Sequence, residues 1–309
     1  MELILLHAKS VLIELFRIAK LPMRALFRRK LINTGKVPIP VLFYHRVSDE
    51  FPNDWTISEV DFARHFQWMK RNFEFISLAE TQRRIKNNFN DRPAVSITFD
   101  DGYADNCQWA LPMLIEQKVP VTYFVTLDFI MTGKPFPHDV EAGRPLRPNT
   151  IESIRSLAAA GVEIGAHTRT HPNLGKLDDR TKMYDEVIKA TQELESLLDT
   201  KIRYFAFPFG QKEHLSKSAA EMLKAAGMQG VCSTLKGWNQ VGQDHFHIQR
   251  LHGDPSLSRL KNWLSFDPSI IRQQKMALEQ LPENENTTAV KPFPITNSTT
   301  PIVDDTVSI

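Results

Sequence analysis

The chain has 309 residues, of which 42% are hydrophobic and 24% are charged, and this length permits one large α/β domain or two smaller ones. Its 38 basic and 36 acidic residues give a net charge of +2, which creates no chain-wide field for a polyanion, so no nucleic-acid partner is expected. The two cysteines, Cys107 and Cys232, are too few for a disulfide scaffold or an all-cysteine zinc site.

Residues 1–36 form a basic N-terminal extension, with eight basic and two acidic residues and a local net charge of +6. Charged residues interrupt its apolar stretches. Neither a membrane-spanning helix, which needs roughly 20 apolar residues, nor a cleavable signal peptide is therefore expected. This favours a cytoplasmic location, or a peripheral one at the inner membrane.

The basic residues of this extension follow a helical spacing. Arg17, Lys20, Arg24 and Arg28 are three, four and four positions apart, which places them on one helical face. Apolar residues lie largely opposite them: Leu12, Leu15, Phe16, Ala19, Met23 and Leu26. The pattern predicts an amphipathic helix through which residues 1–30 contact a membrane surface. The alternative is a helix that packs on its own domain and leaves its basic face in solvent.

Residues 37–281 alternate between short β-branched or aromatic runs and helical patterns, which predicts a single α/β domain built from βα units. Seven strands are predicted, at Pro40–Tyr44, Ala94–Phe99, Val121–Val125, Val162–Ala166, Tyr204–Phe207, Gly230–Ser233 and Phe246–Gln249. Helices are predicted at Glu59–Phe73, Ala110–Gln117, Thr150–Ala160, Asp179–Leu198 and Ser216–Ala226. Seven short strands favour a barrel.

Two segments interrupt or end this alternation. Residues 128–149 are rich in Gly, Pro and charged residues and follow a predicted strand. They are expected to form a long loop on the C-terminal side of the sheet, where barrel enzymes contact their substrates. Residues 282–309 lack a sustained apolar period and are expected to be a disordered tail.

The predicted strand at Ala94–Phe99 runs directly into two adjacent carboxylates, Asp100 and Asp101, followed by Gly102. Carboxylates held close together repel each other, and a neighbouring cation relieves that repulsion. A metal ion would supply such a charge. The alternative is a helix N-cap, because Asp before Gly is common at a strand-to-helix turn.

Another apolar strand delivers two histidines, His167 and His171, four positions apart. On one helical turn, this spacing places both imidazoles on one face. With one carboxylate from elsewhere, two neutral imidazoles make a three-ligand metal site that leaves positions for water and substrate. Single histidines are usually structural, but this pair combined with the two aspartates favours a metal site.

Three segments resemble the signature motifs of the polysaccharide deacetylases, carbohydrate esterase family four: Thr98-Phe-Asp-Asp-Gly102, His167-Thr-Arg-Thr-His-Pro172 and Tyr204-Phe-Ala-Phe-Pro-Phe-Gly210. The resemblance extends over about residues 37–264 and implies a distorted (β/α)7 barrel. It also implies that Asp100 is the general base. Asp101, His167 and His171 would bind a divalent metal ion, for which zinc, cobalt and nickel are precedented in the family.

The activity implied by this resemblance is removal of N-acetyl groups from N-acetylglucosamine-type saccharides or polysaccharide precursors, which makes residues 37–281 the catalytic domain. Val41-Leu-Phe-Tyr-His45-Arg-Val47 resembles the N-terminal element of the poly-N-acetylglucosamine deacetylase branch, in which this histidine is the general acid. Leu251-His252 lies near the late Leu-x-His motif that supplies the acid elsewhere, but it is out of register. His45 is therefore the preferred acid and His252 the alternative.

The third motif departs from the commonest pattern, with Phe207 and Phe209 where many relatives have tyrosine. The family uses the backbone N–H at the position of Phe209 as an oxyanion donor, so the missing hydroxyl should cost little there. The arginine of this motif has no clear match, and both Arg203 and Arg250 are candidates for orienting Asp100.

Three competing functions are weighed against an N-deacetylase. An esterase of the same fold would remove O-acetyl groups. A glycosidase needs two carboxylates roughly 5 Å or more apart across the glycosidic bond, a requirement that adjacent Asp100 and Asp101 meet poorly. A carbohydrate-binding protein without catalysis would be favoured by a replaced metal ligand, and Asp101, His167 and His171 are all present.

Overall fold

The computed structural model describes residues 18–253 and 256–271. Residues 1–17, which include Arg17 and the first part of the predicted amphipathic helix, lie outside the described residues. The predicted tail at 282–309 also lies outside them. The expectations for both segments stay predictions.

Parallel strands form the centre of the fold. In chain order they are β1 Val41–Tyr44, β2 Arg46–Val47, β3 Thr56–Ile57, β4 Glu74–Phe75, β5 Ala94–Phe99, β6 Val121–Val125, β7 Glu163–Ala166, β8 Tyr204–Ala206, β9 Gly230–Ser233, β10 His247–Gln249 and β11 Leu251–His252. The main sheet runs β10, β9, β8, β7, β6, β5, β1, β11, with β4 beside β5, while β2 pairs with β3.

The last two strands join the two edges of this sheet. Arg250 alone separates β10 from β11, yet β10 pairs with β9 and β11 pairs with β1, both in parallel. Counted as one interrupted strand, β10 and β11 complete a ring of seven strand positions with β1, β5, β6, β7, β8 and β9. The predicted distorted (β/α)7 barrel is confirmed.

Helices connect the strands. They are α1 Leu21–Asn33, α2 Glu59–Asn72, α3 Leu78–Lys86, α4 Ala110–Glu116, α5 Leu127–Thr132, α6 Pro137–Glu141, α7 Ile151–Ala159, α8 Arg180–Tyr184, α9 Ala190–Leu198, α10 Lys217–Ala225, α11 Leu257–Trp263 and α12 Pro268–Ile271. Four of them begin after Ser58, Ser77, Thr150 or Ser216, each of which accepts a hydrogen bond from the backbone N–H three residues later. These caps satisfy donors that the first helical turn leaves unpaired.

Alternation along β5 aims the first aspartate into the barrel. Val95, Ile97 and Phe99 belong to the main apolar core. Thr98 and Asp100, on the other face, both accept hydrogen bonds from Arg250. Because successive side chains of a strand point to opposite faces, the period that buries the apolar residues also directs Asp100 inward.

The sequence predictions hold for the strands and need correction for two longer segments. All seven predicted strands are present with bounds within one residue. The predicted helix at Asp179–Leu198 is interrupted, because a π-helical turn at Asp185–Lys189 separates α8 from α9. Residues 128–149 are not one continuous loop, because α5 occupies the start of the segment and α6 its middle.

Helix α1 turns its basic face inward. Arg24 is buried and donates to the side chains of Asp267 and Asn262, while Lys20 also reaches Asp267. The sequence predicted that these basic residues face outward, and for Arg24 this is wrong, because the buried oxygens of the domain satisfy its guanidinium. The large apolar residues that are exposed at this end of the chain are Ile18, Leu21, Met23 and Leu26. Among the described helices, none combines the length and the apolar composition needed to cross a bilayer.

Candidate metal centre and active site

One cavity of about 800 Å³ lies at the C-terminal end of the barrel strands. Side chains directly or shortly after β1, β5, β7 and β8 line it, as expected for the functional end of a barrel. All six residues predicted for the site are among its lining residues: His45, Asp100, Asp101, His167, His171 and Phe209.

Asp101, His167 and His171 converge on one point. Oδ1 of Asp101 lies 3.3 Å from Nε2 of His167 and 3.3 Å from Nε2 of His171. The three ligand atoms lie within 4.8 Å of one another, a spacing that suits ligands bound to one ion at about 2.0–2.2 Å each. Within the described part of the chain, Oδ1 of Asp101 is buried without a hydrogen-bond partner.

A hydrogen bond on the far side of His167 determines which ring nitrogen faces Asp101. Nδ1 of His167 lies 2.7 Å from the carbonyl oxygen of Ala206, and a carbonyl can only accept, so Nδ1 carries the proton. In the neutral ring, Nε2 then presents a lone pair to the carboxylate. Two such groups repel unless a positive charge lies between them. The donor set therefore fits a divalent metal ion, with Ala206 orienting one ligand.

The pKa values of the three groups agree with a need for positive charge. Burial alone would raise the pKa of Asp101, but in the absence of a metal ion His167 and His171, when protonated on Nε2, hold it well below its ordinary value. Burial lowers the pKa of His171, which favours the neutral form that binds metal. Burial acts in the same direction on His167, yet Asp101 and Asp100 raise the pKa of that imidazole, so a proton competes with a metal ion for this position.

Asp100 is held by an arginine rather than by imidazoles. Nη1 and Nη2 of Arg250 donate to Oδ1 and Oδ2 of Asp100 at 2.6 and 2.8 Å. Arg250 is fully buried and also donates to Thr98, so this bidentate pair fixes the plane of the carboxylate. Of the two arginines that the sequence left open, Arg250 is the one that contacts Asp100, whereas Arg203 pairs with Glu163.

The loop that carries the two histidines is strained and supported from outside. Thr168 and His171 have φ angles of +67° and +63°, a left-handed conformation that costs about 1–2 kcal/mol per residue. Such strain persists where the surroundings impose it. The Glu186 carboxylate accepts hydrogen bonds from the backbone N–H groups of Arg169 and Thr170 and from the Thr170 hydroxyl. Glu186 lies on the π-helical turn, a distortion often found beside functional sites.

Phe209 forms part of the cavity rim. Its side chain is 52% exposed and its ring lies edge-on to His171, with 4.9 Å between centroids. The backbone turns sharply here, because Phe209 and Gly210 both have positive φ, and a Cβ on Gly210 would lie 2.7 Å from the backbone nitrogen of Thr234. Among the described residues, nothing accepts a hydrogen bond from the Phe209 N–H.

Four further histidines line the same cavity, His45, His138, His214 and His252, and two of them are the candidates for the acid. His45 follows β1, and His252 ends β11, where it is paired with Phe43. The two imidazole centroids are 6.1 Å apart. Nδ1 of His45 is buried, and no described residue hydrogen-bonds to it. Although His252 is out of register with the family motif, the closing strand brings it into the cavity, so both histidines are placed to act as an acid.

The segment after β6 supplies another wall of the cavity. Phe136 packs edge-on to His171 with 5.6 Å between centroids, and Glu141 also lines the cavity. The buried carboxylate of Asp139 anchors α6, since it accepts a hydrogen bond of 2.8 Å from the Tyr103 hydroxyl. The segment therefore lies where substrate contact was expected.

Sequence reasoning missed two residues that support the site, Glu186 and Asp139. Glu186 follows another acid, Asp185, on the polar side of a predicted helix, and Asp139 lies in a segment that was predicted to be a loop; neither belongs to a motif. Their partners, Thr170 and Tyr103, are 16 and 36 residues away in the chain, so only the folded structure connects them.

Comparisons with known proteins agree with this geometry. Residues 87–231 match the family model described as polysaccharide deacetylase. The protein YxkH of Bacillus subtilis (strain 168), provisionally named a polysaccharide deacetylase, is 25% identical over 223 residues, which are 71% of this chain and 73% of that protein. The chitooligosaccharide deacetylase of Bradyrhizobium sp. (strain ANU 289) is 30% identical over 139 residues, which cover 44% of this chain and 55% of that protein.

The fold is also found among solved structures. The Streptococcus pyogenes deacetylase PplD, solved in complex with acetate, superposes with a TM-score of 0.63 and 20% identity, covering 75% of this chain and 100% of that one. At this identity the likeness establishes a shared fold. The family match and the motif residues that meet in one cavity show that residues 87–231 carry a polysaccharide deacetylase domain.

Proposed function

We propose that this protein is a metal-dependent hydrolase that removes N-acetyl groups from N-acetylglucosamine-type saccharides or their polysaccharide precursors. The observation that carries the proposal is the convergence of Asp101, His167 and His171 in the cavity that also contains Asp100. Three protein ligands leave open positions on a metal. A fixed carboxylate in the same cavity suits the activation of water.

The metal ligands and three further residues contribute to the addition of water. A divalent metal ion held by Asp101, His167 and His171, with zinc preferred and cobalt or nickel as alternatives, would polarise the acetyl carbonyl and lower the pKa of water. Asp100 takes a proton from the attacking water, while Arg250 keeps the carboxylate in position. The Phe209 N–H donates to the acetyl oxygen as negative charge develops there.

The second half of the reaction needs a proton on the departing nitrogen. His45 supplies it, the carbon–nitrogen bond breaks, and the products are acetate and a free amine on the sugar. The position of His45 directly after β1 and in the cavity supports this role. The resemblance of residues 41–47 to the poly-N-acetylglucosamine deacetylase branch favours it over His252.

Removal of O-acetyl groups is the second candidate function, because the same residues can activate water against an ester, and an alkoxide leaves more readily than an unprotonated amine nitrogen. A glycosidase is disfavoured by the carboxylate environments. Asp100 is bound by Arg250 and Asp101 faces two imidazoles, so neither is placed as the protonated acid that glycoside hydrolysis requires.

Product analysis separates these functions. The protein should release acetate and an equal amount of free amine from one or more of chitooligosaccharides, poly-N-acetylglucosamine and peptidoglycan fragments. Acetate from O-acetylated saccharides without new amine would identify an esterase, and new reducing ends would identify a glycosidase. Saccharide binding without any product would identify a binding protein and would contradict the proposal.

We further propose that the N-terminal helix contacts an anionic lipid surface through apolar residues. Leu26 is 72% exposed, and Ile18, Leu21 and Met23 are 42–49% exposed. Arg29, exposed on the same helix, carries a positive charge that anionic headgroups attract. Burial of such apolar side chains in the interface, assisted by basic residues, is the usual mode of peripheral binding.

A further inference from the structure

A second, smaller cavity of about 240 Å³ adjoins the active-site cavity. The two share three lining residues, Lys236, His252 and Trp263. His252 contacts both Phe43 and His45, at centroid distances of 5.1 and 6.1 Å. The smaller cavity therefore extends the active-site cavity beyond His45, the proposed acid.

The exposed side chain of Lys236 and the indole of Trp263 form the junction of the two cavities. Nζ of Lys236 lies 5.8 Å from the centroid of the Trp263 ring. Trp238 is buried, and its Nε1 donates to the backbone carbonyl of Trp263 at 3.1 Å. This hydrogen bond ties the loop that carries Lys236 to the end of α11.

Close packing fixes the backbone next to Lys236. A Cβ on Gly237 would lie 2.6 Å from Oε1 of Gln249, so the backbone here runs directly against that side chain. Asn239 extends the attachment, because its side chain donates to the carbonyl of Gln249 at 2.9 Å. The junction is thus built on the closing strand of the barrel and does not depend on a loose loop.

The charges on this side of the cleft are mainly positive. Arg259 lines the active-site cavity four positions before Trp263 on α11, which places both on one helical face. Apart from the two active-site aspartates, Glu141 is the one acidic residue among the described residues that line the two cavities, and it belongs to α6.

We propose that Lys236 and Trp263 form a subsite for a saccharide unit that carries an anionic group, either a carboxylate or a phosphate. This inference rests on the proposed function. The indole offers a flat apolar face to a sugar ring, the Lys236 ammonium pairs with the anionic group, and Arg259 adds a second positive charge. The anionic unit adjoins the unit that loses its acetyl group, because the subsite begins where the active-site cavity ends.

Three probes test the subsite in the full-length, metal-loaded protein. Tetra-N-acetylchitotetraose (chitotetraose below) is neutral, the disaccharide of N-acetylglucosamine and N-acetylmuramic acid carries a carboxylate, and di-N-acetylchitobiose 1-phosphate carries a phosphate on its second unit. Acetate release is measured for the wild-type protein and for Lys236→Met, with Lys86→Met as the control. Lys86 is an exposed lysine at the C-terminal end of α3, a helix that leads to the opposite end of the barrel.

We expect Lys236→Met to raise KM roughly tenfold for the anionic probe that the wild-type protein prefers, because one charge-assisted interaction is lost. Its kcat on that probe and its KM for chitotetraose should stay unchanged, as should every constant of Lys86→Met. Trp238→Phe, which removes the hydrogen bond to α11 but retains a ring, should raise the same KM. If KM rises for the carboxylate probe alone or for the phosphate probe alone, that probe identifies the anionic group.

An unchanged KM for both anionic probes in Lys236→Met, or an equal rise for chitotetraose, would overturn the subsite while leaving the proposed function intact. The absence of acetate release from all three probes and from poly-N-acetylglucosamine by the wild-type protein would reject the proposed function together with the subsite.

Discussion

Asp100 and Asp101 are neighbours in the chain but have different partners. Asp100 lies on the inward face after β5 and is bound by Arg250. Asp101 has a φ of +71°, and this turn directs its carboxylate to the imidazoles of the histidine loop. Arg250 supplies positive charge to Asp100, and the donor set around Asp101 fits a metal ion that would supply it there. Of these two, the sequence indicated the metal site and left the arginine open.

Substitution of a metal ligand should remove metal without unfolding the chain. We expect Asp101→Ala, His167→Ala and His171→Ala each to lose most bound metal and activity, because three ligands are the minimum for an open site. Metal content by elemental analysis and folding by circular dichroism check this. Stoichiometric metal in all three variants would show that these residues are not the ligands.

The general acid can be identified by comparing substrates whose leaving groups need different degrees of protonation. We expect His45→Ala to lower kcat for N-acetyl saccharides by roughly 10²–10⁴, the usual range for loss of positioned proton transfer, with unchanged metal content. Acetate esters of acidic phenols need little protonation on departure, so their hydrolysis should be much less affected.

His252→Ala is the matched control, because both imidazoles line the cavity. A small effect of His252→Ala on kcat agrees with His45 as the acid. If His252→Ala showed the predicted loss of kcat and His45→Ala kept near-normal turnover, His252 would be the general acid instead. An equal loss on both substrate types in His45→Ala would indicate a binding role.

At the scale of elements, the sequence predicts the strands and helices whose apolar residues repeat at a regular local period. The strands were found within one residue because buried parallel strands are continuous apolar runs, such as Ala94–Phe99. Asp179–Leu198 kept its apolar period, and nothing in that period signals the π-helical turn. Arg250 likewise lies between β10 and β11. It pairs with Asp100, which is 150 positions away in the chain. Only closure of the barrel brings these two residues together, so local periodicity could not predict the pair.

The π-helical turn has a testable consequence for metal binding. We expect Glu186→Ala to weaken metal affinity roughly 10- to 100-fold, because the carboxylate that holds the backbone N–H of Thr170 beside His171 is lost. Competition with a chelating dye measures the affinity. Glu193→Ala is the control, since Glu193 contacts the same loop only through the side chain of Arg169. Equal affinities in the two variants would show that Glu186 does not position the histidine loop.

At the scale of the whole molecule, helix α1 is attached to the end of the domain by ion pairs. Asp267 is buried and pairs with both Lys20 and Arg24. Burial opposes ionisation of Asp267, but hydrogen bonds from Ser269, Arg24 and Lys20 keep its pKa below the ordinary value. Asp267 therefore balances one of these two positive charges, and the domain holds both side chains. Under the membrane proposal, exposed apolar side chains would then be the main contact surface.

Apolar contact should consequently contribute more to vesicle binding than electrostatic attraction does, so substitution of an apolar residue should weaken binding more than added salt. We expect Leu26→Glu to weaken binding to anionic vesicles in a sedimentation assay, because it places a charge on the most exposed apolar position of α1. Activity on soluble saccharides should not change. Val60→Glu, at an exposed apolar position on α2, is the control and should bind normally. Binding that is unaffected by Leu26→Glu but abolished by salt would contradict this view.

Metal-dependent deacetylation is tested most directly by titrating zinc into chelator-treated protein while measuring acetate release from the preferred N-acetylated saccharide. We predict that activity returns in proportion to bound zinc and saturates at one ion per chain. Asp100→Asn should bind zinc equally but release acetate roughly 10²–10⁴ times more slowly, because an amide cannot take the proton of water. Acetate release that is independent of added metal, or equal in wild type and Asp100→Asn, would contradict the mechanism.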